Sequence, residues 1–173
     1  MKKNDMNSRA TALRILEDAG CSRNVIEHCI SVSDLAVDIA RNLSLKGKQP
    51  DIELIEMGGL LHDLGRSRTH GIAHAVAGAV IARELELDER LVQIIKRHIG
   101  AGISAEEAVT LGLPEDDYMP RTIEEKIVAH ADNLIVGTRR ITIEERIALM
   151  KEKNINIESI ERVRALAHEI GVM

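Results

Sequence analysis

The sequence predicts an all-α fold, a bundle of about seven to eight helices. Three observations carry that expectation. Apolar residues recur at helical spacing almost everywhere along the 173 residues. The helix-opening pattern Ser/Thr-x-x-Glu occurs three times, at Ser104–Glu107, Thr122–Glu125 and Thr142–Glu145. No segment alternates apolar and polar residues for long, so no sheet is expected.

The elements follow in order. A first helix spans about 8–19, with Leu13, Ile15 and Leu16 apolar and Gly20 as its stop, inside an N-terminal segment 1–21. A second spans about 22–44, its stripe formed by Val25, Cys29, Val32, Ala36, Ile39 and Leu43. Pro50-Asp51 opens a third that reaches about Leu64. Gly58 and Gly59 inside it would each cost about 1 kcal/mol against Ala, so close backbone approach is expected there. Further helices cover about 72–85 and 88–98, the second ending before the breaker Gly100-Ala101-Gly102. Ser104 opens a short helix, and 112–121, with two prolines and three acids, reads as a loop. The helix from Thr122 runs to about Val136 and stops at Gly137. Residues 140–173 hold two more helices, an appendage that packs on the same domain and either shields the bundle or forms a homodimer interface.

Composition narrows the function. The formal net charge is −5, which argues against a protein that wraps duplex nucleic acid by bulk charge. With no Trp or Phe and one Tyr, Tyr118, the chain has no platform for stacking bases. Nucleic acid is therefore an unexpected partner. Two cysteines eight apart, Cys21 and Cys29, form neither a CxxC pair nor a disulfide framework and point to a reducing cytoplasm. The first twenty residues carry charges throughout, so neither signal peptide nor membrane span is expected.

The seven histidines carry the chemistry. His28 lies among Val25, Val32 and Leu35 on the inner face of its helix. His62-Asp63 closes the apolar third helix. His74 stands near the start of the fourth, and His98 follows Ile94 and Ile95 on the inner face of the fifth. Asp132 lies on the apolar stripe of Val128 and Ile135. Singly, each reads as a satisfied core residue, a cap or an ion-pair partner. Together they direct four imidazoles and two carboxylates into one bundle with too few inward cations to neutralise the acids. Bundles build metal sites in this way. His130 is turned roughly 200° from Asp132 and reads as structural, His168 as surface.

The arrangement His28, His62-Asp63, Asp132 resembles the HD superfamily of metal-dependent phosphohydrolases. Leu60-Leu61-His62-Asp63-Leu64-Gly65 looks like the motif that names it, and the likeness covers about residues 25–136. Within the superfamily the chain is most similar to bacterial diadenosine tetraphosphate hydrolases. His74 through Gly78-Ala79 matches their H-x-x-x-G-A segment, His98 their histidine after an apolar run, and Arg66 stands in for their lysine. This chain departs from them at Asn133, where they carry an aromatic, and in a longer stretch between His98 and Asp132.

The resemblance implies an HD-domain bundle over 22–139. It implies two divalent transition-metal ions (Fe, Mn, Co, Ni or Zn) on His28, His62, Asp63, His74, His98 and Asp132, with Asp63 bridging. Asp63, His62 and Arg66 would be catalytic, and the reaction would be hydrolysis of a phosphate ester or anhydride of a nucleotide-like molecule. Arg66, Arg68, His70, Lys96, Arg97 and Arg139 are candidates to hold that substrate, although a solvated surface charge is the simpler reading for every cation except Arg66. His70 either donates to a leaving oxygen or is simply exposed. Rival readings are a one-metal nucleoside 5′-monophosphatase, a cyclic-nucleotide or RNA phosphodiesterase, a di-iron oxygenase, and a helical module with a structural metal or none.

Overall fold

The computed structural model describes residues 8–171. The outermost residues of the segments 1–21 and 140–173 lie outside that range. Nine α-helices occur among the described residues, one more than the upper expectation. They are α1 (Arg9–Asp18), α2 (Arg23–Leu45), α3 (Ile52–Leu61), α4 (His74–Glu84), α5 (Glu89–Lys96), α6 (Ala105–Thr110), α7 (Ile123–Asn133), α8 (Ile143–Glu152) and α9 (Ile157–Ile170).

Local chemistry sets their ends. Ser22, Asp51 and Asp88 each accept a backbone N–H in the first turn of the helix that follows. The capping boxes at Ser104 and Thr142 are complete. At Thr122 the box is half made: Thr122 accepts from the Glu125 amide, but the Glu125 carboxylate turns to the Arg121 amide and to Arg97 instead.

The long helix α2 packs along α3 and α7, α1 lies on α3, α4 pairs with α5, and α9 packs on α7. Leu16, Ile39, Ile55, Leu60, Leu61, Ile94, Ile95, Ile127 and Ile170 are buried at the centre. Gly59 explains why a central helix tolerates glycine: a Cβ there would stand 2.5 Å from the Cα of Ser33 on α2. Gly65 is tighter still, where a Cβ would stand 1.9 Å from the His74 carbonyl oxygen. A smaller apolar cluster of Ile103, Ala108, Leu113 and Tyr118 lies under the 103–120 insertion.

Three boundaries differ from the expectation, and all three bear on the site. Helix α3 stops at Leu61, and a 3-10 turn follows at Leu64–Ser67, so His62 and Asp63 sit in the bend between them. Helix α5 ends at Lys96, which places His98 beyond the helix and not on its face. Helix α7 ends at Asn133, so Asp132 lies in its last turn. Residues Ile135–Val136 and Arg139–Arg140 then form a two-residue antiparallel hairpin turned by Gly137 at φ +61°. Strands that short leave no alternation for periodicity to show.

Candidate metal centre

The six predicted ligands converge. His62, Asp63, His74 and His98 are at most 5% exposed, and His28 and Asp132 are half-buried at the edge of the group. Asp63 is the middle of the arrangement. One of its oxygens, Oδ2, faces His28 Nε2 at 3.9 Å and His62 Nε2 at 3.7 Å. The other, Oδ1, faces His74 Nε2 at 3.1 Å and His98 Nε2 at 3.6 Å. Asp132 Oδ1 lies 3.0 Å from His28 Nε2 and 3.5 Å from His62 Nε2. Two sets of ligand atoms, His28-His62-Asp132 and His62-Asp63-His98, each lie within 4.8 Å of one another.

One device aims the rings. His62, His74 and His98 each donate Nδ1–H to the carbonyl three residues upstream, on Gly59, Gly71 and Ile95, at 2.7–2.8 Å. The Gly59 and Ile95 carbonyls lie in the last turns of α3 and α5, where no helical partner remains. His28 donates Nδ1–H to Gly137 O at 2.8 Å, which gives the unforeseen hairpin a role. A ring whose Nδ1 carries the hydrogen presents a lone pair at Nε2 when neutral. A backbone carbonyl behind the ring is the usual second partner of a metal-bound histidine.

The inner atoms are arranged so that a cation could meet them. His74 Nε2 and His98 Nε2 are 3.0 Å apart, and both rings have spent their hydrogen on Nδ1. His62 Nε2 and Asp63 Oδ1 are buried without a hydrogen-bond partner. Burial opposes protonation of His62, yet Asp63 and Asp132 push its pKa up to about 9. Burial also works to raise the carboxyls of Asp63 and Asp132. The imidazoles prevail: His62, with His74 and His98, holds Asp63 far below the usual range, and His28 and His62 do the same for Asp132. Burial pushes the His98 pKa down, which keeps that ring neutral. Metal binds the neutral imidazole and the ionised carboxylate, so an ion held here would take the place of the proton that Asp63 and Asp132 favour on His62. The donor set is thus able to hold a metal ion.

The candidate substrate residues divide. Arg66 lies at the centre, with Nε donating to Asp63 Oδ2 at 2.7 Å and Nη1 to His70 O at 3.1 Å. His70 itself is exposed. Arg68 pairs with Glu84, Lys96 with Asp116, Arg97 with Glu125 and Arg139 with Glu145. None of these four lines the cavity beside the ligands. His130 is buried, and neither of its ring nitrogens has a hydrogen-bond partner among the described residues.

That cavity, of about 530 Å³, has walls from His74, His98, Asp132 and Arg66, from Ile103 and Leu111 of the insertion, and from α8 and α9. The C-terminal helices are what sequence reasoning missed, since it assigned residues 140–173 no chemistry. Arg146 of α8 donates to the carbonyls of Asp132, Asn133 and Ile135 and so ties down the end of α7 that carries Asp132. Asn133, in the place of the expected aromatic, donates to Gly100 O at 2.7 Å and fixes the loop after His98. Arg146, a charged residue inside an otherwise ordinary amphipathic helix, gave no signal of its role.

An all-α bundle holding a buried His/Asp cluster able to bind metal is the class that the fold and site define. Residues 25–137 match the HD domain family, and the chain belongs to it. It is 55% identical over 161 residues to the uncharacterized protein MJ0778 of Methanocaldococcus jannaschii, covering 92% of this chain and 95% of that one. It is 46% identical over 154 residues to the tRNA (cytidine(56)-2'-O)-methyltransferase of Thermoplasma volcanium, covering 89% of this chain but only 44% of the methyltransferase. The HD domain of the Listeria monocytogenes phosphodiesterase PgpH, in complex with cyclic-di-AMP, shares the fold with a TM-score of 0.58 and 16% identity, covering 93% of this chain and 96% of that one. No helix among the described residues is long and apolar enough to cross a membrane.

Proposed function

We propose that this chain is a metal-dependent phosphohydrolase that cleaves a phosphate ester or anhydride of a nucleotide-sized molecule. The observation that carries the reading is Asp63, with each carboxylate oxygen turned to a different pair of imidazole Nε2 atoms. Membership of the HD domain family supports it.

His28, His62, Asp132 and Asp63 Oδ2 would hold one divalent ion, and His74, His98 and Asp63 Oδ1 a second. Imidazole with carboxylate suits Mn, Fe, Co, Ni or Zn better than Mg. Bound ions supply Lewis acidity, which makes a water nucleophilic near neutral pH and offsets charge on the phosphoryl oxygens. The protein's own groups do the rest. Asp63 and Asp132 stay ionised, and the backbone carbonyls hold the four rings in the one tautomer that offers Nε2 inward. Arg66 orients Asp63 through Nε and keeps Nη2 without a partner among the described residues, so that it is available to a phosphoryl oxygen. The buried setting strengthens each of these interactions relative to water.

A phosphodiester is the second reading of the scissile bond, because PgpH, which shares the fold, is a phosphodiesterase. The methyltransferase activity is not carried over, since this chain spans less than half of that protein. The test is purification without chelator, metal analysis, and hydrolysis of a panel of nucleoside monophosphates, dinucleoside polyphosphates, cyclic nucleotides and short RNA. Bound first-row metal with turnover of one class supports the proposal. No metal and no turnover across the panel ends it.

A further inference from the structure

The cavity beside the ligands carries positive charge that the metal chemistry does not use. Asp132, itself a ligand candidate, is its one lining carboxylate, whereas Arg66, Arg146 and Lys153 all line it. In a chain of net charge −5 that excess is local. Arg66 is engaged by Asp63. Arg146 bonds backbone carbonyls only, through Nε and Nη2, and its Nη1 has no partner among the described residues. Lys153, the C-cap of α8, makes no ion pair among the described residues.

The wall that presents these two cations lies beyond residue 137, where the family match ends. It is a built wall. Asn154 takes the left-handed conformation at φ +54°, and Asn156 caps α9, so the turn after Lys153 is fixed at both ends. Beside the cavity, Glu107 of the insertion accepts from Arg162 of α9 at 2.7 and 2.8 Å, which ties the insertion to α9. Apart from the His74 and His98 imidazoles the remaining lining is mostly aliphatic, with no Phe, Tyr or Trp, so the body of a ligand is held chiefly by aliphatic contact.

We infer that Arg146 and Lys153 form an anion subsite on the α8–α9 wall. It takes a second phosphoryl group, and the substrate class is a small molecule bearing two phosphoryl groups. The inference rests on the proposed reading that the scissile phosphoryl group binds at the His/Asp centre. The subsite supplies the open Nη1 edge of a fixed guanidinium and the point charge of an ammonium, two donors suited to a terminal phosphate. The cavity's volume admits a nucleotide-sized molecule and not a folded nucleic acid.

The experiment compares adenosine 3′,5′-bisphosphate with AMP as probes, by titration calorimetry on the full Mn²⁺-loaded chain, wild type and Lys153→Gln. Phosphate release is followed in the same samples. Lys153 is exposed, so the variant is expected to fold, and circular dichroism checks this. Wild type should bind the bisphosphate about tenfold more tightly than AMP, the scale of one charge-assisted hydrogen bond. Lys153→Gln should lose that preference with its affinity for AMP unchanged. Equal affinities in wild type, no binding of either probe, or a preference that survives in the variant would overturn the subsite. Preference with no turnover of any member of the hydrolysis panel keeps the subsite and removes the hydrolase reading; turnover of the panel without preference does the reverse.

Discussion

Replacing Arg97 by Met separates two roles that its position in the sequence leaves open. As a substrate cation, Arg97 would matter to KM. In the structure its Nη1 lies 3.1 Å from both carboxylate oxygens of Glu125, which is 4% exposed. Removing one partner of a buried ion pair costs about 3–5 kcal/mol, because the other charge stays buried and uncompensated. The Arg121 amide still donates to Glu125 at 2.7 Å, so the lower end, about 3 kcal/mol, applies. At roughly 2.1 cal/mol/K per residue, a 173-residue chain unfolds with about 0.36 kcal/mol/K, so Tm should fall by about 8 °C. Differential scanning calorimetry measures this. Adding Glu125→Gln to Arg97→Met should recover much of the loss. Metal content and KM should stay as in wild type. An unchanged Tm together with a raised KM would refute the assignment and return Arg97 to the substrate.

Other predictions follow from the same geometry. His74→Ala removes a ligand beside Asp63 Oδ1 alone, so metal content should drop from two ions to one and kcat by about a hundredfold; a one-metal enzyme would keep both. Gly59→Ala places a methyl 2.5 Å from backbone of α2 and should cost about 3 kcal/mol in urea denaturation, the upper end for overpacking; a cost below about 0.5 kcal/mol would mean that α2 and α3 are not packed this closely. Burial works to raise the Glu107 carboxyl, but the Ser104 amide and Arg162 hold it below its ordinary value. A depressed carboxyl stabilises the fold above its unfolded pKa, and that contribution is lost as pH falls through the folded value. Wild type should therefore exceed Glu107→Gln by about 1 kcal/mol at pH 7, discounted for partial exposure, with the gap closing below about pH 4. A gap that widens in acid would reverse the sign of this linkage.

Much of this molecule is legible in one sequence. The stripe of α2 and the caps at Ser22, Ser104, Thr122 and Thr142 act within one or two turns, and periodicity reports them directly. The six candidate ligand positions are named by the family resemblance, and for His28 and Asp132 the apolar stripe adds its own signal, since an imidazole or carboxylate there conflicts with its surroundings unless something polar or cationic meets it. What escapes is long-range. Arg68, Lys96, Arg97 and Arg139 are near ligands in sequence, yet each faces an acid supplied from elsewhere. Arg146 is remote in sequence from His28 and His62, and packing alone brings it to the carbonyl of Asp132. The bend at His62-Asp63 and the placement of His98 beyond α5 depend on carbonyls at helix ends, which composition does not display.

The most direct test of the centre is a crystal structure of the chain grown with Mn²⁺ and measured at the metal's absorption edge. Two anomalous peaks should appear about 3.5–4 Å apart, one against His28, His62 and Asp132, the other against His74 and His98, with Asp63 between them. A single peak, a peak away from these side chains, or none at saturating metal would contradict the account.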